Sequence, residues 1–284
     1  MKEEDVKHGA LKENKLVTKI KRALRPKHHA LGGAPVPFDW TVGVETNCKI
    51  KNQGQSESCG GQSGGKWVEV AVPKQLEVPQ AEVSAKSIYS QGFYPNGGGM
   101  YESSLTNIIS NGQYALEADV PSYDTSGNPL TEEQYRDTSW GKAFSNKKWV
   151  KVTVNIDKQS IAEAINSTGG VIWRIEGQNG NIPSWTSSTP VPPLQSNPNA
   201  LWGHYMCVTG AKSSYPKPIR ADQSWGDGIG DQGRQYFDDD YIKSGYITDA
   251  FTFVPQVVFD NKNIPLMQRI LARMQSLYSS LFGG

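Results

Sequence analysis

Histidine and cysteine are the side chains of this 284-residue chain best suited to nucleophilic and proton-transfer chemistry near neutral pH, and the chain has only four histidines and three cysteines. Three histidines lie in the lysine-rich first thirty residues, so His204 is the only imidazole beyond them. Cys59 has polar and glycine neighbours, which offer no apolar face to bury it. An imidazole can lower the pKa of a thiol and later return its proton. Cys59 is therefore a candidate nucleophile and His204 the imidazole available to it, the alternative being a small buried apolar role for Cys59.

Three segments in a fixed order resemble the active-site motifs of papain-like cysteine proteases. The first, residues 51–63, reads KNQGQSESCGGQS and has Gln53 six residues before Cys59. The second, residues 203–210, reads GHYMCVTG and places His204 about 145 residues after Cys59, within the separation typical of the family. The third, residues 223–230, reads QSWGDGIG, similar to the family's Asn-Ser-Trp-Gly motif. The resemblance covers residues 35–255.

The resemblance implies catalytic roles for four residues. Cys59 would be the nucleophile and His204 the general base and acid. The Gln53 amide and the Cys59 backbone N–H would stabilise an oxyanion, although Gln53 could also be a solvated loop residue. Gln223 stands where the family has asparagine and would orient His204, and the neighbouring Asp222 is the alternative for that role.

The resemblance also implies contacts with substrate. Gly97 and Gly98 are similar to the glycines that line the family's substrate groove. Tyr205 matches a position that shapes one subsite. Trp225 would shield the hydrogen bond between His204 and its orienting partner, or it could be an ordinary core tryptophan.

The sequence departs from the family pattern around the nucleophile. Ser56 replaces a cysteine that forms a disulfide in the family, Glu57 replaces a glycine, and Gly60 replaces a tryptophan. Four glycines, at positions 60, 61, 64 and 65, fall in the helix expected to start here. They should weaken that helix by about 3–4 kcal/mol, or else allow the two lobes of the protein to approach closely.

These features together predict an α+β, papain-like fold with a helical lobe carrying Cys59, a β-rich lobe carrying His204, and the active site in the cleft between them. The implied function is a cysteine endopeptidase acting on a peptide or protein substrate through a thioester. Two alternatives stay open. One is a weak or inactive domain that binds peptides or serves as a structural module, and the other is the same chemistry on a different amide bond.

A zinc site is a further alternative, because Cys48, Cys59, His204 and Cys207 would make four ligands. Zinc sites usually show closely spaced ligand pairs, and only His204 and Cys207 come near that spacing. Residues three apart on a strand point to opposite faces. We therefore predict no metal or other cofactor and place Cys207 in the core.

The remaining pattern indicates short elements. Residues 149–156 alternate as a strand, residues 160–166 predict a helix opened by Asp157, and residues 171–175 and 205–208 read as buried strands. Residues 177–203 are rich in proline and have neither period, so they predict a long surface loop, with or without a function.

Three regions follow along the chain. Residues 1–33 are predicted to be a charged leader or a short propeptide-like segment, joined by a Gly- and Pro-containing linker to a catalytic domain at 34–260. Residues 261–284 have apolar positions at helical spacing and predict an amphipathic helix. This helix would dock on the chain's own body, on a partner or on a second copy.

Composition excludes several classes of protein. Hydrophobic residues make up 37% and charged residues 20%, and the net charge is +1, so no global field favours nucleic acid. No apolar run reaches the roughly 18 residues of a membrane span, and the first thirty residues are too charged for a secretory signal. We expect a soluble protein with free thiols, more consistent with the cytoplasm than with export.

Overall fold

The computed structural model describes residues 42–43, 47–141, 147–178, 185–188 and 201–256. The predicted leader at 1–33 and the predicted C-terminal helix at 261–284 lie outside these ranges. The described part contains both helices and an antiparallel sheet, which confirms the α+β prediction.

The helices fall mainly in the first half of the described chain. They are α1 (Cys59–Leu76), α2 (Ala85–Tyr89), α3 (Glu102–Ser110), α4 (Glu132–Arg136), α5 (Lys158–Thr168) and α6 (Asp239–Lys243). Among these helices, none combines the length and apolar character that crossing a bilayer requires.

The strands fall mainly in the second half and form one sheet. They are β1 (Val42–Gly43), β2 (Trp149–Thr153), β3 (Val171–Gln178), β4 (Leu201–Ala211), β5 (Ile219–Asp222), β6 (Arg234–Phe237) and β7 (Ile247–Pro255). Their order is β2-β7-β3-β4-β5-β6, with every neighbouring pair antiparallel, and β1 pairs with the end of β4.

Two apolar cores lie on opposite faces of β4, because successive side chains of a strand alternate between its faces. Tyr205 and Cys207 face helix α1 and pack in the core that also contains Trp67. Met206 and Val208 belong to the core on the other face. The Trp67 indole N–H, shared between the Gly170 carbonyl and a threonine hydroxyl at 3.1 Å each, fastens α1 to the sheet.

Local sequence signals placed the middle elements correctly. Helix α5 contains the predicted residues 160–166, and the Asp157 carboxylate caps it by accepting the Ser160 backbone N–H at 2.8 Å. Strands β3 and β4 contain the two predicted buried strands. Strand β2 ends at Thr153, three residues before the predicted end.

The predicted long loop at 177–203 was wrong at both ends. Strand β3 continues to Gln178 and β4 begins at Leu201, so the two strands pair across the predicted loop boundaries. Between the two strands the structure describes residues 185–188. Trp185 is fully buried there, against Trp202 and Phe237. This core contact has no signal in the local sequence. Trp185 is buried by residues distant along the chain, so the segment around it shows no hydrophobic periodicity.

The glycines of α1 have a different role from the one expected. A Cβ atom at Gly61 would lie 2.6 Å from the Ala85 carbonyl oxygen, and one at Gly64 would lie 2.8 Å from a Leu105 methyl group. These neighbours belong to α2 and α3, so the glycines allow close packing within the helical lobe and not between the two lobes. Tertiary packing thus offsets their low helix propensity.

A buried charged cluster fixes α1 to the segment before it. Glu69 lies 2.5 Å from the Lys51 ammonium and 2.9 Å from the Lys66 ammonium. Lys66 also donates to the Lys49 carbonyl at 2.8 Å, and the Val83 N–H donates to Glu69 at 2.9 Å. Burial alone would raise the pKa of Glu69, but attraction to the two lysines outweighs it and lowers the pKa.

Replacing Glu69 with glutamine should therefore destabilise the protein. Glu69→Gln leaves two buried ammonium groups without their countercharge, and losing one partner of a buried pair costs about 3–5 kcal/mol. Because the folded pKa is lowered, the stabilisation is complete above the ordinary carboxyl pKa and is lost as the pH falls through the folded value. Denaturant unfolding from pH 7 to pH 3 should show the wild-type advantage shrinking in acid.

The matched control is Glu77→Gln, at the exposed end of the same helix. It should change the free energy of unfolding by less than about 0.5 kcal/mol. Equal effects of the two substitutions at pH 7 would contradict the role given to the buried cluster.

Candidate active site

Cys59 is the first residue of α1 and is fully buried. The backbone N–H groups of a first helical turn have no intrahelical acceptor, and the helix dipole there favours negative charge. Reactive thiolates occur at such helix positions. The local chemistry of Cys59 therefore suits a nucleophile with an anion-binding backbone beside it.

The Gln53 side chain is held in one orientation. Its Oε1 accepts the Ser224 hydroxyl at 2.6 Å, and its Nε2 donates to the Ser56 carbonyl at 2.6 Å. Gln53 is fully buried, so the structure does not place it as a solvated loop residue.

A short backbone bridge joins the segment before Cys59 to the segment after β5. The Gln53 N–H donates to the Ser224 carbonyl at 2.6 Å, and the Gly226 N–H donates to the Lys51 carbonyl at 3.0 Å. Asn52 and Trp225 pair between these bonds as an antiparallel bridge. The bridge brings the chain that leads to Cys59 beside the chain that contains Gln223.

His204 lies on β4 and is fully buried between polar and aromatic partners. Its Nε2 is 3.0 Å from Gln223 Oε1. The Trp225 ring stacks on the imidazole with the ring centroids 4.3 Å apart and an interplanar angle of 16°. The indole therefore covers one face of the imidazole and limits water access to that hydrogen bond.

Asp222, the alternative orienting residue, is engaged elsewhere. It accepts the Thr209 hydroxyl at 3.0 Å and lies 3.6 Å from the Arg234 guanidinium. Gln223, one methylene longer than the asparagine of the family motif, is hydrogen-bonded to the imidazole.

Hydrogen bonds hold the segment before Cys59, where the family has a disulfide. The Ser56 hydroxyl bonds the Gln53 carbonyl at 2.7 Å and the Ser58 hydroxyl at 2.7 Å. The Glu57 N–H donates to the Glu132 carboxylate at 2.7 Å, and the same carboxylate accepts the Tyr89 hydroxyl at 2.7 Å. Burial, together with Glu132, raises the pKa of Tyr89 and keeps its hydroxyl protonated. No disulfide joins any two of the three cysteines, all of which the structure describes.

The two candidate groove glycines lie beside this segment. Gly97 is exposed, and Gly98 is buried with a φ of +79°, which favours glycine. A Cβ atom at Gly98 would lie 2.6 Å from the Glu57 carboxylate and 2.9 Å from the Arg136 guanidinium. The structure thus places Gly98 next to Glu57, in the segment that leads into Cys59.

Tyr205 and the two other cysteines, Cys48 and Cys207, are buried. Tyr205 is fully buried in the core that also contains Cys59, so its contact with substrate stays a prediction. Burial raises the pKa of the Cys207 thiol, which packs in the same core. Cys48 is also buried. Among the described residues no group of three or more histidine, cysteine and acidic side chains is arranged to hold a metal ion.

A cavity of about 860 Å³ adjoins the backbone bridge. Asn52 and Tyr123 line it from one side, and Gly226 and Arg234 line it from the other. The Asn52 N–H donates to the Tyr123 hydroxyl at 2.9 Å, and burial raises the pKa of Tyr123 to about 12. The cavity therefore has walls from both sides of the bridge and a neutral phenol in one wall.

Comparisons with solved structures identify this architecture. Xylellain, a cysteine protease from Xylella fastidiosa, superposes with a TM-score of 0.59 at 15% identity, covering 87% of this chain and 90% of that one. Procathepsin B S9 from Trypanosoma congolense gives a TM-score of 0.61 at 12% identity, covering 88% and 86%. Digestive procathepsin L 3 of Tenebrio molitor gives 0.56 at 18%, covering 87% and 83%.

The fold is that of the papain-like cysteine proteases. This bears out the predicted fold class, and at these identities the similarity concerns the fold alone. No family model and no curated protein sequence matches the chain.

Sequence reasoning missed three polar residues near the site. Ser224 holds Gln53, Glu132 holds the Glu57 backbone, and Gln235 contacts Gln223. Ser224 lies inside the QSWG motif and could have been found from it. Glu132 and Gln235 act from distant points of the chain and carry no local signal.

Removing the Glu132 carboxylate should loosen the segment before Cys59. Glu132→Ala deprives the Glu57 N–H and the Tyr89 hydroxyl of a charged acceptor, so the free energy of unfolding should fall by about 1.5–3 kcal/mol. Hydrogen exchange at the Glu57 amide should become faster. Glu133→Ala, at the exposed neighbouring position, should leave both quantities unchanged, and equal effects of the two variants would contradict this role.

Proposed function

We propose that this chain is a cysteine-type endopeptidase that hydrolyses peptide bonds through a thioester formed on Cys59. The observation that carries the proposal is the 3.0 Å contact between His204 Nε2 and Gln223 Oε1. This contact gives the imidazole a fixed partner. The backbone bridge at Gln53 and Ser224 joins the segment that contains Gln223 to the segment that leads into Cys59. The protease fold supports the same reading.

The first half of the reaction forms the acyl-enzyme. His204 takes the thiol proton, and the Cys59 thiolate attacks the peptide carbonyl carbon, so that a C–S bond forms and the carbonyl electrons move to oxygen. The Cys59 N–H and the Gln53 side-chain amide would stabilise that oxyanion. The C–N bond then breaks, and the imidazolium gives its proton to the leaving amine.

The second half releases the acyl group. Water attacks the thioester carbonyl while His204 accepts its proton, and the C–S bond breaks to return the Cys59 thiolate and a carboxylic acid product. Gln223 would keep the imidazole in place through both halves. Gly97, Gly98, Tyr205 and Trp225 are proposed to contact the substrate.

Two alternative functions are a peptide-binding module with little or no activity and the hydrolysis of a different amide bond. Gln223, Gly60 and Glu57 depart from the family motif and favour a weak or inactive module that binds peptides. Alternatively, Cys59 and His204 would act by identical steps on an isopeptide or a cell-wall amide. The nature of the substrate alone separates this last function from the first.

Covalent labelling tests the catalytic assignment. An epoxide or vinyl-sulfone probe of papain-like enzymes should modify Cys59, identified by peptide mass, because an activated thiolate attacks such electrophiles. Cys59→Ala should abolish labelling and lower peptide hydrolysis by at least about 10³-fold while retaining the circular dichroism spectrum.

Cys48→Ala is the matched control and should keep both labelling and hydrolysis. Hydrolysis by Cys59→Ala at the wild-type rate would exclude the assignment. An unlabelled wild-type protein that still binds peptides would favour the module.

Access to the site motivates a second proposal, that residues 1–33 restrain it. Cys59 and His204 are both fully buried, so a segment lying over them would control the access of a substrate. A leader joined by a linker of about ten residues would act at a millimolar-scale effective concentration, enough to occupy a groove despite weak intrinsic affinity.

Deleting residues 1–33 should raise the rate of Cys59 labelling. An effective concentration of about 1 mM against a dissociation constant of about 0.1 mM corresponds to roughly a tenfold increase. A full-length variant with Leu16→Lys and Ile20→Lys should reproduce part of this increase if apolar contacts hold the leader. An unchanged rate after deletion would show that the leader does not regulate the site.

A further inference from the structure

A second buried glutamine extends the hydrogen-bond network of His204. Gln235 lies on β6 and is fully buried. Its Oε1 accepts a hydrogen bond from Gln223 Nε2, and its own Nε2 donates to the Trp185 carbonyl at 3.2 Å. The network therefore runs from the Trp185 backbone through two amides to the imidazole.

The chemistry of the groups fixes the direction of every bond in this network. A backbone carbonyl can only accept, so Gln235 must present its NH₂ group to Trp185 and its oxygen to Gln223. Gln223 must then turn its NH₂ group toward Gln235 and its oxygen toward His204. That oxygen can only accept, so the imidazole must carry a hydrogen on Nε2.

We propose that Gln235 is a positioning residue that sets the tautomer of His204 through the Gln223 amide. With hydrogen on Nε2, the neutral imidazole keeps its lone pair on Nδ1, the nitrogen then able to accept a proton from Cys59. The catalytic part of this inference rests on the proposed function, whereas the tautomer is a property of the folded protein alone.

The alternative amide orientation shows why a fixed network is required. A Gln223 side chain without Gln235 could rotate by 180° and present NH₂ to Nε2. Nε2 would then have to be the acceptor, and the hydrogen would move to Nδ1, where it blocks proton transfer from a thiol. All three side chains are at most 2% exposed, so bulk solvent does not contact the network.

Nitrogen-15 NMR tests the tautomer directly. The full chain is labelled at histidine in a variant with His8, His28 and His29 replaced by glutamine, so that His204 gives the only signal. Cys59→Ala is added so that no thiolate holds the ring as imidazolium. Above the imidazole pKa, the long-range ¹H–¹⁵N spectrum should show a single neutral tautomer with hydrogen on Nε2. Hydrogen on Nδ1, or an even mixture, would overturn the inference without any further variant.

Two substitutions then test Gln235 itself. Gln235→Met keeps the length of the side chain and removes both hydrogen bonds, so the Nδ1–H tautomer should appear. Gln235→Glu in its protonated form can donate to Trp185 and accept from Gln223, so it should retain the Nε2–H tautomer at any pH where that carboxyl is protonated and the imidazole is neutral. Gln62→Met removes another fully buried glutamine, bonded to Ser58 and Tyr135, and should leave the tautomer unchanged.

Kinetics with Cys59 present complete the test. Gln235→Met should lower kcat by about 100-fold with little change in KM, because a misplaced base affects the chemical step. A fixed Nε2–H tautomer in Gln235→Met would refute the inference even if kcat fell as expected. A wild-type protein without hydrolysis or probe labelling would refute the proposed function and leave the NMR result to decide the role of Gln235.

Discussion

The backbone bridge between Gln53 and Ser224 is the constraint on which the rest of the site depends. Cys59 begins a helix and His204 lies on a strand, so the two residues can act together only if their elements are fixed relative to each other. The bridge does this at the point where both chains reach the site. The Ser224 hydroxyl adds a side-chain contact that sets the Gln53 amide. One short pairing thus positions the Gln53 amide and the partner of the imidazole.

Burial gives this small set of polar contacts its strength. Hydrogen bonds in a region without water are electrostatically stronger, and an unsatisfied group there is costly. At the described site a neutral amide of Gln223 bonds His204 and a neutral hydroxyl of Ser224 bonds Gln53, whereas Glu69 is paired with two lysines in a separate cluster. Neutral partners avoid the desolvation cost of a buried carboxylate beside the imidazole.

Much of the fold was accessible from the sequence, because its signals are local. The Asp157 cap and the runs of buried residues in β3 and β4 were found from short windows. The order and spacing of three motifs predicted which residues the fold would gather, and in the structure Gln223 Oε1 lies 3.0 Å from His204 Nε2. Their catalytic roles stay predictions.

The rest depended on contacts between distant parts of the chain. Trp185 and Gln235 meet near His204 although about fifty positions separate them, and neither lies in a periodic segment. The glycines of α1 were misjudged for the same reason, since their value comes from Ala85 and Leu105, which only the folded chain brings near.

Those glycines also constrain how this sequence can diverge. On most helices alanine is the replacement that selection tolerates best, because it favours the helical state. At Gly61 the same replacement would place a methyl group against the Ala85 backbone, which cannot rotate away as a side chain could. Substitution of Gly61 by a residue of higher helix propensity is therefore blocked unless α2 also shifts. The turn of helix that carries the thiol and the small helix beside it must consequently evolve as one unit.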